Sequence, residues 1–451
     1  MNLVAEVNPS TKQPALYGTP GLRRFATLQG GPLRALYTSS RGRVFCVAGP
    51  NLYELLASGQ SVLRGTLGGT QPVSMADNGI ALMVVDGTHG YVLDFATNTY
   101  QPVTDPDMPA ADFVVFLDGY FVVNVHGTGQ YMLTGLYDPL NVGGLDLATA
   151  EARPDPLVAL AVDHRELWLF GSQTIEVAFN SGNPDFPIER VSGAVIEQGC
   201  SAPWSVAALD NTLYWLHGNT RGAGTVMRAK GYQPEEITPP GIEWAWAQYA
   251  SLADARAYTY RHHGHAYYVL SFGAGNATWA YDTTTGLWHE RAALAMDGRL
   301  MRHWGTCHTY GLGHHLVGDY RQGRVYTYDA TQYTDDGQPI PRIRRAPHLA
   351  SSGTRVFHEA FELALEAGVG VDGGAPVQDV APDVMLQWSN DGGKTWSHEK
   401  WVTSGPRGAY ETRAIWRRLG QSRNRVYEIQ QTTATPVVWT GAWLDVTEGT
   451  S

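Results

Sequence analysis

A strand-and-turn unit that recurs along the chain limits its fold more than any other feature. An apolar or aromatic run ends in a polar or glycine residue, and a polar turn follows. The marks fall at Tyr53-Glu54, Leu93-Asp94, Tyr137-Asp138, Phe179-Asn180, Lys230-Gly231, Tyr281-Asp282 and Tyr328-Asp329. From Glu54 onward the steps are 40, 44, 42, 51, 51 and 47 residues. A four-stranded propeller blade occupies roughly 40 to 50 residues. Irregularly spaced hairpins in two sandwiches are the competing arrangement. A closed ring of blades has the physical advantage of leaving only short, protected strand edges. The expected fold is therefore all-β, a β-propeller of four-stranded blades.

The local signals agree. No segment carries apolar residues at helical spacing over three or four turns with caps at its ends. Short β-branched and aromatic runs recur instead: Val44–Val47, Ile80–Val85, Phe113–Phe116, Tyr120–Val125, Glu166–Phe170, Leu213–Leu216, Tyr267–Leu270 and Val325–Tyr328. Many are paired through a polar turn such as Leu117-Asp118-Gly119 or Asp210-Asn211, residues that tolerate the positive φ of a tight hairpin. Ala266–Glu290 reads as a kelch-type hairpin unit.

The character changes near Ser351-Ser352-Gly353. Val369–Pro382 is rich in Gly, Pro and Asp and reads as a loop. The runs Val384–Trp388, Tyr410–Trp416, Val426–Ile429 and Val437–Leu444 read as strands. Residues 1–350 are assigned to the propeller core, with the first thirty or so residues free to form an extended arm. Residues 351–451 are assigned to a C-terminal β-rich domain or a closing blade.

The net charge of −11 argues against a protein that wraps nucleic acid, because that needs a basic face. An acidic wall would instead let DNA slide past. Cys46, Cys200 and Cys307 are odd in number and widely spaced, and read as free thiols in a reducing compartment. Met1–Leu16 has no apolar stretch of the signal-peptide kind, and Pro9 and Pro14 interrupt it. No run of 18 apolar residues exists to anchor the chain in a membrane. These features point to synthesis and folding in a cytosol.

One motif is specific. Ser389-Asn390-Asp391-Gly392-Gly393-Lys394-Thr395-Trp396 fits the Asp-box pattern S-x-D-x-G-x-T-W, with Ser389, Asp391, Gly393, Thr395 and Trp396 in the pattern positions. It marks a structural hairpin turn in which Ser and Asp bind backbone groups and Trp packs beneath. A sialidase would also need an arginine triad, a tyrosine nucleophile and a carboxylic acid, and none can be assigned. Gly393-Lys394-Thr395 resembles the end of a phosphate loop, but Trp388 stands where its first glycine belongs. The glycine pairs at 127/129, 273/275 and 311/313 lack the third glycine of a dinucleotide site.

Histidines gather at His262, His263 and His265, and at His303, His308, His314 and His315. Adjacent residues on a strand point to opposite faces and cannot easily share a metal, so turn and surface roles are expected. Arginines gather at Arg342, Arg344 and Arg345 and at Arg413, Arg417, Arg418, Arg423 and Arg425. Contact with DNA or an acidic partner competes with pairing to the chain's own carboxylates. No nucleophile elbow, zincin helix or paired-cysteine zinc pattern appears. Catalytic residues, metals and cofactors are expected to be none, and the chain is read as not an enzyme.

Several stretches together resemble the packaged-DNA stabilisation proteins of short-tailed bacteriophages, also called tail hub or nozzle proteins. They are Pro20–Phe25 with Arg41-Gly42 and Asn51–Tyr53, and Val73–Gly79. Leu167–Gly171 follows with Thr174–Val177, Asn180 and Gly182. Then come Gly264–Leu270 with Thr278–Asp282 and Trp288–Glu290, and Met385–Trp396 with Trp416–Gly420 and Arg423. The resemblance implies a propeller core and a ring of six copies beneath the portal and its adaptor ring. Such a ring extends the DNA channel, seals it and stabilises packaged DNA until ejection. The implied partners are further copies of the chain, the portal and head-to-tail adaptor, a tail needle or plug, a tailspike or fibre, and passing genomic DNA without sequence-specific binding. The implied location is the virion tail, assembled in the host cytoplasm. The alternative is a sugar- or receptor-binding propeller used for adsorption.

Overall fold

The computed structural model describes residues 1–7, 14–150, 153–218, 224–350, 353–371 and 376–449. Ser351 and Ser352 of the expected boundary turn, and residues 372–375 of the expected loop, lie outside them. The chain is all-β and forms two compact units.

The larger unit comprises residues 24–284 and 302–328. Among its described residues five sheets have four strands each, every strand pairing antiparallel with the next in sequence. They begin at Leu33–Thr38, Ser74–Asp77, Val114–Leu117, Leu157–Asp163 and Ala207–Leu209. A sixth contributes Arg256–His262, His265–Phe272 and Ala277–Asp282, and a seventh Gly305–Gly311, His314–Asp319 and Arg324–Asp329. Each sheet is covered by neighbours on both faces, so its middle strands are buried throughout rather than alternately. Val44–Ala48 and Ala81–Val85 show this pattern. The cores are layers between successive sheets, such as Phe45, Val47, Leu82 and Val84 between the first and second.

The ring closes through sequence-distant contacts. Thr38 and Thr309 share a hydroxyl hydrogen bond of 2.8 Å. Leu33, Val44, Leu316 and Val325 belong to one cluster. The strand Gly21–Thr27 lies beside Arg324–Asp329, and the Leu28 N–H donates to the Gly323 carbonyl at 2.6 Å. The hairpins take the conformations their residues favour: Asp118 has φ 46° before Gly119 at 101°, and Asp210 and Asn211 have φ 50° and 63°.

The smaller unit comprises residues 1–23, 285–301 and 329–451. One of its sheets runs in the order Leu3–Val7, Pro14–Gly18, Val438–Glu448, Val356–Leu365, Ala414–Arg417. A second runs Arg342–Arg345, Asn424–Gln431, Asp383–Ser389, Lys400–Thr403. Phe361, Leu363, Trp416 and Trp439 of the first pack with Val384, Leu386, Tyr427 and Ile429 of the second, the core of a β-sandwich. Asn2 is buried, and its side chain donates to the carbonyls of Ala292 and Pro341, both at 2.8 Å.

One expected strand is shorter than read. Tyr410–Trp416 reads as one continuous strand, but the strand is Ala414–Arg417. The preceding residues turn, with the Thr412 N–H and hydroxyl both bound to the Ala409 carbonyl. The apolar alternation hides this because a threonine that bonds backward reads like any β-branched strand residue.

Candidate functional site in the propeller unit

In a propeller the first strand of each sheet is innermost. Here the first strands carry mostly apolar residues, interrupted by a few that are charged. Arg34 stands between the buried Leu33 and Ala35, and Arg256 follows the buried Ala255. Leu33 and Ala35 belong to different core layers with a β-bulge between them, and Arg256 opens its strand, so the two arginines stand at irregular or terminal strand positions. Both line a cavity of about 980 Å³, with Trp204, Tyr258, Tyr260, Thr306 and His308 among its walls. Both also line a second cavity of about 610 Å³, which adds Asp254, Arg302 and Tyr320.

Arg34 is held by neutral groups. Its Nε donates to the Gln71 carbonyl at 2.7 Å, Nη2 donates to the same oxygen, and Nη1 donates to the Gly49 carbonyl at 2.9 Å. Burial and the nearby Arg256 charge both hold its pKa below the usual guanidinium value. Arg256 sits over the Trp204 ring, with Cζ 5.9 Å from the centroid, and Trp204 stacks on Phe113 at 4.5 Å. At the mouth, Arg261 is neutralised by Asp210 at 2.9 Å.

The histidines expected in turn and surface roles divide. His308 packs between Tyr258, at 5.9 Å, and His315, at 5.3 Å, with its Nε2 3.1 Å from His315 Nδ1. His303 is buried as well. Both stand on or beside the first strand of the seventh sheet, where an aromatic lining suits an imidazole. His263 has φ 50° and lies in the turn, so strand alternation does not separate it from His262, and their rings are 4.1 Å apart. Among the described residues no group of three His, Cys, Asp or Glu could hold a metal ion.

Burial, assisted by the His315 ring, pushes the His308 pKa down to about 3. Its folded value lies below the unfolded one of about 6.5. The stability it contributes is complete above that unfolded value and is lost as pH falls toward the folded one. A histidine carbon titration by NMR at pH 5 is expected to find His308 neutral. A midpoint near 6.5 would contradict the packing described.

The three cysteines are free thiols, and Cys46 and Cys200 are buried. Burial pushes Cys200 up to about 11 and Cys307 up to about 12, and raises Cys46 well above its usual value. None is an activated thiolate.

In the sandwich, two of the grouped arginines, Arg342 and Arg425, are buried and the others are exposed. Arg413 donates twice to Glu362, at 2.8 and 2.6 Å, and Arg345 pairs with Glu428. Arg342 and Arg425 are buried against carbonyls. Arg344, Arg417, Arg418 and Arg423 are exposed.

Ser389, Asp391, Gly393, Thr395 and Trp396 come together in one turn. The Gly393 N–H donates to Ser389 Oγ at 2.8 Å, and Ser389 Oγ donates to Asp391 Oδ1 at 2.7 Å. Asp391 also accepts the N–H groups of Lys394 and Thr395, at 3.0 and 2.9 Å, and the Thr395 hydroxyl at 2.6 Å. Gly392 and Gly393 have φ 77° and 94°, which side chains rarely adopt. Trp396 packs by Gly393 and carries Arg345 over its ring at 5.2 Å. The Thr395 hydroxyl and N–H, then Ser389, hold the Asp391 carboxyl far below the usual carboxylate range. The turn's stabilisation is therefore complete above about pH 4 and fades only well below it. A carboxyl NMR titration is expected to find Asp391 still ionised at about pH 3, and a midpoint near 4 would contradict the hydrogen bonds.

The closed ring of sheets and the sandwich define a two-part β-propeller protein without a recognisable catalytic constellation among the described residues. Residues 1–333 match the family model described as the bacteriophage P22 Gp10 β-propeller, and residues 341–447 match the one described as its β-sandwich. The chain belongs to the bacteriophage P22 Gp10 family, whose members are structural proteins of the phage tail. No curated protein sequence matches it.

Solved structures similar to it include the designed protein Ika8 (13% identity, 68% of this chain and 100% of that one, TM-score 0.39). YCF48 from Cyanidioschyzon merolae aligns at 10% identity over 68% of this chain and 98% of that one, with TM-score 0.45. The Cps50 (Swd1) β-propeller domain of Myceliophteria thermophila aligns at 9% identity over 68% and 100%, again with TM-score 0.45. Among the described residues no helix is long and apolar enough to cross a membrane.

Proposed function

We propose that this chain forms a ring of six copies below the portal and adaptor of a short phage tail, where it extends the DNA channel and seals packaged DNA inside. The observation that carries the reading is membership of the tail-protein family over both units of the chain. Three physical features support it. The blades pair strand to strand around a closed ring, which resists deformation better than an open sheet edge. The net charge of −11 suits a surface that DNA passes without adhering. The free, protonated thiols suit assembly in a host cytoplasm.

In this reading the chain works sterically and turns over no substrate. Its partners are its own copies, the portal and adaptor proteins, a needle or plug, and a tailspike or fibre. Adding the purified chain to DNA-filled heads that lack it tests the placement by cryo-electron microscopy of the portal vertex. Six copies beneath the adaptor are expected. Binding elsewhere on the particle, or none, would overturn the placement.

A further inference from the structure

We infer that the interior of the propeller holds a small oxyanion, of phosphate or carboxylate chemistry, between the guanidinium groups of Arg34 and Arg256. The two arginines, with Thr306, line both cavities, so they stand where the two spaces meet. Arg34 is pinned by carbonyl groups that fix its orientation, and the Asp86 carboxylate attracts it without forming an ion pair. Arg256 has no hydrogen bond or ion pair among the described residues, and the face of Trp204 is its one aromatic contact. Its fork of five N–H donors is thus available to a ligand.

The wider lining keeps the positive excess. The two cavities together are walled by four arginines and two aspartates, in a chain of net charge −11. One of the aspartates, Asp210, is consumed by Arg261. The other, Asp254, accepts the Ala274 N–H at 2.7 Å and attracts Arg256 without forming an ion pair with it. His308 adds no charge at neutral pH, so the attraction comes from permanent cations. A half-buried guanidinium without an ion-pair partner in contact is costly, and an oxyanion that takes its N–H groups removes the cost. Arginine's planar fork matches the two oxygens of a phosphate or carboxylate edge, whereas chloride can accept from it only as a point charge. This inference does not depend on the tail reading.

The test is thermal unfolding and isothermal titration of the full chain with sodium phosphate, sodium acetate and sodium chloride at matched ionic strength. A saturable rise in melting temperature is expected with phosphate or acetate and not with chloride. Whichever of the two is effective identifies which oxyanion the site takes. In R256Q, binding is expected to weaken about ten-fold or more, while R299Q, an exposed arginine paired with Asp297, leaves it unchanged. Equal responses to all three salts, or binding unchanged in R256Q, would overturn the site. Should R256Q fail to fold, phosphorus NMR of phosphate with the wild-type chain decides, since absence of saturable line broadening together with no acetate response contradicts the proposal.

Discussion

Replacing Trp215 by alanine is expected to destabilise the propeller by about 3–5 kcal/mol. Trp215 is fully buried in the fifth sheet. Its ring meets Phe170 of the fourth sheet edge-on at 5.6 Å, and its indole N–H donates to the Gln198 carbonyl at 3.0 Å. Alanine leaves a cavity that the surrounding β-sheets, each hydrogen-bonded along its own strands, cannot collapse to fill. It also leaves the Gln198 carbonyl without its donor. Phenylalanine keeps most of the volume and loses only that bond, so Trp215→Phe should cost less. Native-state hydrogen exchange of the Thr212–Gly218 amides measures both. A loss under about 1 kcal/mol for the alanine variant would contradict this packing.

The second large effect is expected in the sandwich. Arg425 is 1% exposed and has no carboxylate among its hydrogen-bond partners. It donates to Asn390 at 2.9 Å, to the Leu419 carbonyl at 2.7 Å, to the Tyr427 hydroxyl at 3.2 Å and to the Gln421 carbonyl at 3.3 Å. Its guanidinium also lies over Trp388 and Tyr427. It ties the Asp-box turn to the turn at residues 419–421. Arg425→Met keeps much of the stem but strands the buried Leu419 carbonyl oxygen and leaves the Asn390 and Tyr427 side chains without their donor, for an expected loss of about 3 kcal/mol. Lysine should not restore it, because one ammonium cannot reach partners on three sides. Unfolding of the sandwich followed by exchange of the Asn424–Gln431 amides reads the effect. Full rescue by Arg425→Lys would show that charge, not the fork, is what the site needs.

The repeat was legible in the sequence because its marks have a local cause. Asp94, Asp282 and Asn180 each end a third strand. Each side-chain oxygen accepts a backbone N–H two residues on: Ala96 at 2.9 Å, Thr284 at 3.0 Å and Gly182 at 2.9 Å. Asp329 does the same for Thr331 at 2.8 Å. Such turns are written in adjacent residues, so a reader sees them. Glu54 shares the position but not the turn: it takes Arg43 and Arg64 instead, each at 2.6 Å.

Ring closure was not legible, since Thr38–Thr309 and Leu28–Gly323 join residues from opposite ends of the propeller sequence. The pairing of Leu16 with Trp439 is equally remote. The arginines of the inner cavity are inconspicuous in the sequence for the same reason. Arg34 and Arg256 stand alone in their own stretches, while the arginine clusters Arg342–Arg345 and Arg413–Arg425 are conspicuous in the sequence and belong to the sandwich. The available signal was a lone charge on an otherwise apolar first strand, as in Leu33-Arg34-Ala35-Leu36. That signal gains weight only once the strand is known to face the inside of a ring.

The central claim is that this chain keeps packaged DNA in the head. The most direct measurement is DNA retention in particles grown with a nonsense mutation in its gene. Heads that fill and then leak their DNA are predicted. Heads that stay full and merely fail to adsorb to cells would contradict the account and favour a receptor-binding role.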